Sequence, residues 1–204
     1  MSDEFDVFDF MDSAALESDE MPTARILRHQ LKIKMQNKLH LQAIDQIIPE
    51  LPNVGWSYHI VANGKYDYFT FVPHVLRLMD SVNVDFYGST WTMNRKNITE
   101  MVNLFDAGKI KTINLLTGLY FKRREAAVYA TVLQAIKQRK QRYCAFKNHA
   151  KVLLLGDGKN YITIEGSANF TGNPRLEQYV MTNSQEVYNF HKEWMEQMLD
   201  GKSE

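Results

Sequence analysis

Between residues 24 and 48 apolar side chains recur four apart, at Leu27, Leu31, Met35 and Leu39, with Arg25, Arg28, Lys32 and Lys38 between them. A repeat near 3.6 residues with charge on the remaining face predicts an amphipathic helix. The pattern then alternates. Residues 56–62 read as a strand that stops at the turn pair Asn63-Gly64, followed by a short helix over 73–79 and a strand over 82–87. Residues 95–106 place Ile98, Met101, Val102 and Phe105 on one helical face. A strand is expected over 112–116, and a long helix over 123–140 that buries Ala126, Ala130, Leu133 and Ile136.

After residue 140 the rhythm changes to successive strands, over 143–146, 151–155 and 161–165. The last two are joined by the turn Gly156-Asp157-Gly158-Lys159. A strand over 179–182 precedes a final helix on which Val187, Phe190, Trp194 and Met198 share a stripe. Strand–helix alternation followed by hairpin-linked strands implies an α/β fold, a mixed β-sheet flanked by helices on both faces. There is no internal repeat.

Composition adds a boundary. The 204 residues are 45% hydrophobic, enough for one α/β domain with a sizeable core. The formal charge of zero hides an asymmetry, because residues 1–20 hold eight acidic residues and no Lys or Arg. Residues 21–204 therefore carry 24 basic against 16 acidic residues, a net of +8. The expected organisation is a flexible acidic tail over 1–22 and a single domain over 23–204. In the tail Phe5, Phe8 and Phe10 alternate with Asp6 and Asp9. Such a segment can dock on a protein partner, lie in the protein's own basic groove, or simply aid solubility.

Several function classes drop out. No apolar run reaches membrane-spanning length and no signal pattern opens the chain, so a cytoplasmic protein without a membrane partner is expected. Cys144 is the one cysteine and reads as a small buried residue. The six histidines lack metal-ligand spacing, so neither metal nor cofactor is expected. Gly156-Asp157-Gly158-Lys159 lacks the strand–helix context of a nucleotide loop.

The segment carrying chemistry runs from His149-Ala150-Lys151 to Gly166-Ser167-Ala168-Asn169. Residues two apart on a strand share a face, so His149 and Lys151 project together, and the hairpin brings Gly166 and Ser167 beside them. Gly166 allows close approach of the backbone to a ligand, Ser167 and Asn169 can donate to phosphoryl oxygens, and Lys151 supplies positive charge. His149 alone can attack phosphorus or exchange a proton near neutral pH. Read singly, these residues suit a buried histidine and a turn with a helix cap; together they suit a phosphate site.

This constellation resembles the phospholipase D-like superfamily, whose signature is His-x-Lys, then an Asp, then Gly-Ser-x-Asn. The resemblance implies a phospholipase D-like fold with His149 as a nucleophile that forms a phosphohistidine. It implies that Lys151 and Asn169 hold the phosphoryl oxygens, that Ser167 adds a hydrogen bond, and that Glu177 orients the histidine. Two departures stand out: Gly156 occupies the place of the motif Asp, with Asp157 one residue further, and the stretch to Gly166 is longer than usual. Both read as a remodelled hairpin.

In-line displacement at a phosphodiester needs a nucleophile on one side and an acid on the other. The chain has one His-x-Lys motif, and single-motif members of the superfamily pair as two-fold dimers. A homodimer with two His149 side chains facing is therefore expected. The basic body points to nucleic acid, DNA or RNA, as the substrate. Tyr120-Phe121-Lys122-Arg123-Arg124 suits a single-stranded nucleic-acid channel, with Lys122 and Arg123 as contacts, or else a solvated helix start, a reading that suits Arg124 slightly better than Lys122. The expected activity is a metal-independent phosphodiesterase, an endonuclease. The rivals are a non-catalytic nucleic-acid-binding module on the same fold and a lipid phosphodiesterase or phosphatidyltransferase.

Overall fold

The computed structural model describes residues 44–64, 67–172 and 175–201. Among these, β1 (Ser57–Ala62), β2 (Val84–Thr90), β3 (Ile110–Gly118), β4 (Arg142–Phe146), β5 (Val152–Gly156), β6 (Tyr161–Gly166) and β7 (Glu177–Asn183) join in one sheet. Its order is β1-β7-β6-β5-β2-β3-β4. Strands β2, β3 and β4 run parallel, whereas β5 is antiparallel to β2 and the ladder from β5 through β6 and β7 to β1 is antiparallel throughout.

The helices are α1 (Phe71–Met79), α2 (Arg95–Asp106), α3 (Leu119–Arg124), α4 (Ala126–Gln138) and α5 (Gln185–Asp200). Alternation along β5 shows how they divide. Leu153 and Leu155 enter one apolar cluster with Val72 and Val75 of α1, Ile98 and Met101 of α2, and Val132 and Ile136 of α4. Val152 and Leu154 enter a second cluster with Tyr188 and Met195 of α5. Helix α5 thus covers one face and the others cover the opposite face, the two-layer burial that a mixed sheet requires. Asn94 and Ser184 set the starts of α2 and α5, their side chains accepting from the N–H of Asn97 and Val187. No helix of the described residues is long and apolar enough to cross a membrane.

Three expectations need correction. The helix expected over 123–140 is two helices, broken at Glu125, whose backbone lies at φ −135° and ψ 54°. Helix α4 buries Val132 and Ile136, while Ala126, Ala130 and Leu133 are exposed. The buried face of α5 is Tyr188, His191 and Met195, leaving Phe190 66% exposed and Met198 37% exposed. A stripe read from hydrophobicity alone gave no weight to Tyr and His, whose apolar rings can cover a sheet while their polar atoms find partners. Strand ends shift too: β2 and β3 extend to Thr90 and Gly118, further than expected, and these extensions reach the site.

Residues 44–47 are helical, and Ile44 and Ile48 are buried in the core. The rest of the helix expected over 24–48 lies outside the described residues, as do the acidic tail and its boundary at residues 22 and 23.

Candidate active site

The strand directions bring the chemistry to one edge of the sheet. Because β5 is antiparallel to β2 and β6, its start lies beside the ends of both, with Val152 opposite Ser89 and Glu165. Gly166 pairs with Tyr179 near the start of β7, and Gly118 pairs with Phe146 at the ends of β3 and β4. Four strand ends and two strand starts therefore meet where residues 147–151 cross, the kind of crevice in which α/β sheets place ligands.

Buried Asn148 fixes that crossing. Its Nδ2 donates to Ser89 Oγ at 2.9 Å, and its Oδ1 accepts from the Ala150 N–H at 2.9 Å. Ser89 Oγ in turn donates to the Ala150 carbonyl at 3.1 Å. These bonds leave His149 pointing outward as an exposed side chain. Lys151 is the opposite case, only 8% exposed.

The Lys151 Nζ lies 3.0 Å from His149 Nδ1 and donates to the His149 carbonyl at 2.6 Å. An ammonium has no lone pair, so Nδ1 is the acceptor and a neutral His149 carries its proton on Nε2. Burial lowers the Lys151 pKa from its ordinary value, and the charge of Glu177 opposes that shift.

Ser167 follows the end of β6, and Glu177 opens β7. Ser167 Oγ donates a short hydrogen bond to Glu177 Oε2 and accepts from the Gln178 N–H at 3.1 Å. Gly166 serves a packing need as well as any ligand: a Cβ there would lie 2.5 Å from Tyr179 Cδ1. Asn169 accepts through Oδ1 from the Trp91 N–H at 3.2 Å, which anchors it to the end of β2. His149, Lys151, Gly166 and Ser167 line a cleft of about 560 Å³ together with Glu165, His191 and Trp194.

Sequence reasoning missed His191 as a residue of this cleft. His191 is buried on α5, its Nδ1 accepting from Trp194 Nε1–H at 3.1 Å and its Nε2 3.4 Å from Glu165 Oε1. A Trp donor on Nδ1 puts the proton of a neutral ring on Nε2, toward the carboxylate. Burial lowers the His191 pKa against the pull of Glu165. The lone signal was the Trp194 spacing three residues on, which looked like part of an apolar stripe.

Trp91 was also missed. Its ring lies 6.1 Å from that of His149, tilted by 47°. The Arg124 guanidinium sits 5.4 Å from the Trp91 centroid, within cation–π range. Lys122 and Arg123 are exposed on α3, but Arg124 is the member of the triplet whose contacts lead back to His149.

Asp157 lies at the far end of β5 from His149. Its carboxylate accepts from the N–H groups of Lys159 (2.9 Å) and Asn160 (2.7 Å) and from Ser81 Oγ (2.7 Å). Burial raises its pKa, but these hydrogen bonds outweigh that and hold it below the usual value. The displaced Asp of the motif is a turn anchor. Cys144 is buried, and burial raises its thiol pKa. Among the described residues no three His, Cys, Asp or Glu side chains converge as a metal site.

No protein-family model and no curated protein matches the chain. Solved structures do. A phospholipase D family member, Nuc from Salmonella typhimurium, is 14% identical, with 71% of this chain and 95% of that one covered at a TM-score of 0.50. NucT from Helicobacter pylori is 13% identical, covering 71% and 97% at a TM-score of 0.53. A polyphosphate kinase from Porphyromonas gingivalis is 17% identical, covering 74% of this chain but 27% of its own, at 0.53. The chain has the phospholipase D-like fold, a mixed sheet of seven strands between helices.

Proposed function

We propose that the chain is a metal-independent phosphodiesterase that cleaves DNA or RNA through a phosphohistidine, with His149 as nucleophile. The observation that carries this reading is the His149–Lys151 pair, an exposed imidazole with a buried ammonium at 3.0 Å, opening on a cleft that Ser167 also lines. Phosphoryl transfer asks little covalent chemistry of a protein beyond a nucleophile and positive charge on the transferred oxygens.

The ligand-free arrangement defines what a substrate must change. With Lys151 donating to Nδ1, the lone pair of His149 faces the lysine rather than the cleft. A phosphate oxygen that draws the ammonium onto itself frees Nδ1, and one that engages Ser167 frees Glu177 from its bond to that hydroxyl. The exposed ring then gives up its Nε2 proton to water and takes one on Nδ1, Glu177 accepts from that Nδ1–H, and Nε2 is left with the lone pair for in-line attack. Phosphate binding and activation of the nucleophile are thus one event.

The leaving oxygen needs an acid. A second copy placing its own protonated His149 opposite the first supplies one, and the same ring then acts as base toward water. The site is completed by a homodimer in this reading. Asn169, tied through Oδ1 to Trp91, presents its NH₂ end as a donor to the phosphoryl group.

The test is direct. Purified full-length protein is incubated with EDTA and single-stranded DNA, RNA, plasmid or phosphatidylcholine vesicles, alongside a His149→Ala variant. Cleavage of nucleic acid by the wild type alone supports the reading. Loss of turnover to EDTA, or cleavage confined to the lipid, contradicts it.

A further inference from the structure

We propose that Arg124, held over the Trp91 ring, binds the phosphate next to the scissile one, so that the ligand of this site is a polynucleotide strand. The inference rests on the phosphodiesterase reading of His149 and goes beyond it by naming what lies on either side of the reacting phosphate.

Trp91 is held from three directions. Its N–H donates to Asn169 Oδ1 at 3.2 Å, and its carbonyl accepts from the Gly118 N–H at 3.2 Å. Its indole lies so close to β3 that a Cβ on Gly118 would come within 2.4 Å of Cδ1. Glycine at that strand end is what lets the ring lie down there. The next residue, Thr92, donates to Glu125 at 3.4 Å, which ties this loop to the junction of α3 and α4. Glu125, the acid beside Arg124 in sequence, is thereby directed to Thr92.

The fixed ring then relates two groups that share no bond. One is His149, with ring centroids 6.1 Å apart, and the other is Arg124, with its guanidinium carbon 5.4 Å from the indole centroid. A guanidinium over an indole keeps its charge and its donor fork, and the ring restricts its orientation. An Arg held in this way suits a second anionic oxygen, which it can grip with two parallel hydrogen bonds.

A cation one step from the nucleophile discriminates between phosphodiesters. A polynucleotide carries a negative charge on each side of the scissile phosphate, so Arg124 meets its neighbour. A choline or ethanolamine phospholipid carries an ammonium beside its single phosphate, which Arg124 repels. The exposed Lys122 and Arg123 on the same helix extend the positive surface away from the centre.

Binding measured as a function of salt tests this. The reference is the full-length His149→Ala chain, which is expected not to cleave, titrated against a fluorescent single-stranded 12-mer from low to moderate NaCl. Each phosphate contact with a single strand contributes a slope of about 0.7 to log K against log salt. Arg124→Gln in that background is expected to bind more weakly at low salt and to lose about 0.7 of slope. Arg124→Lys should keep the slope. Lys140→Gln, at the opposite end of the sheet, should match the reference. If Arg124→Gln matches the reference in slope and affinity, the inference falls while nucleic-acid binding stands. If the reference binds no strand at any salt, the nucleic-acid reading falls and takes the inference with it.

Discussion

The ammonium of Lys151, a residue only 8% exposed, lies 3.0 Å from His149 Nδ1 and donates to the His149 carbonyl, so its bonds in the ligand-free protein go to its own neighbour. This relationship makes Lys151 a functional cost to the fold. Burial of an ammonium is unfavourable, and the lowered pKa records it.

Replacing Lys151 with Met, which fills similar space, should therefore reduce kcat by about 10²-fold or more while leaving the thermal midpoint unchanged or higher. The pH dependence has a definite sign. With the folded pKa lowered from 10.5, the unfolded chain holds more protons between the two values, so Lys151 makes stability rise with pH across that window. Chemical denaturation at neutral and alkaline pH should show that rise in the wild type and a smaller one in Lys151→Met.

Asp157 should behave differently from the motif residues around it. Its bonds to Ser81, Lys159 and Asn160 close a turn remote from His149. Asp157→Ala is expected to cost about 1–2 kcal/mol of stability by removing the hydrogen bonds that close this partly exposed turn, with kcat retained. Its lowered pKa means that its contribution is present above the unfolded value and is lost as pH falls through the folded one. Urea midpoints at pH 7 and pH 3.5 for both proteins check the assignment.

Gly118→Ala should damage the site from outside it. The added methyl meets the Trp91 ring at 2.4 Å and the Trp91 carbonyl at 3.0 Å, so the ring must move. We expect about 1–3 kcal/mol of destabilisation and weaker binding of a single-stranded oligonucleotide. Thermal melts and binding isotherms on the same preparation measure both.

Mild acid should loosen the core through His74. This side chain is fully buried, its Nε2 is 2.8 Å from the Ile48 carbonyl, and burial lowers its pKa from 6.5. The unfolded chain binds that proton more readily, so stability falls as pH drops below about 6.5 toward the folded value. His74→Gln, which retains a donor for Ile48 but does not titrate, should lose less stability than the wild type between pH 7.5 and 5.5.

The sheet and most of its connections were legible because β5 to β7 and the helices before them follow simple periods. What was not legible is instructive. Ile136 packs inward as its spacing predicts, but Ala126 and Ala130, which have the right spacing for the same face, are exposed, and Val132 is the other buried residue of α4, which starts only after the break at Glu125. Phe190 is exposed because Tyr188 and His191 cover the sheet in its place. Local periodicity marks which faces are apolar; where a helix starts decides which of them packs. At the site, the motif drew attention to His149, Lys151, Ser167 and Asn169, all of which lie at one sheet edge. Asn148, Trp91 and His191 went unnoticed, and Arg124 read only as one of a basic run, because their contacts are with residues distant in the chain, such as Asn148 to Ser89. An amide that staples a loop has no local signature.

The central claim is that His149 becomes covalently attached to phosphorus. Its most direct test is an alkaline quench of the protein mixed with a labelled oligonucleotide in EDTA, followed by denaturing electrophoresis and peptide mass mapping. The account predicts a transient protein–oligonucleotide adduct on His149 that forms and decays at rates compatible with turnover and is absent from His149→Ala. Turnover by His149→Ala at the wild-type rate, or an adduct on any other residue, would contradict it.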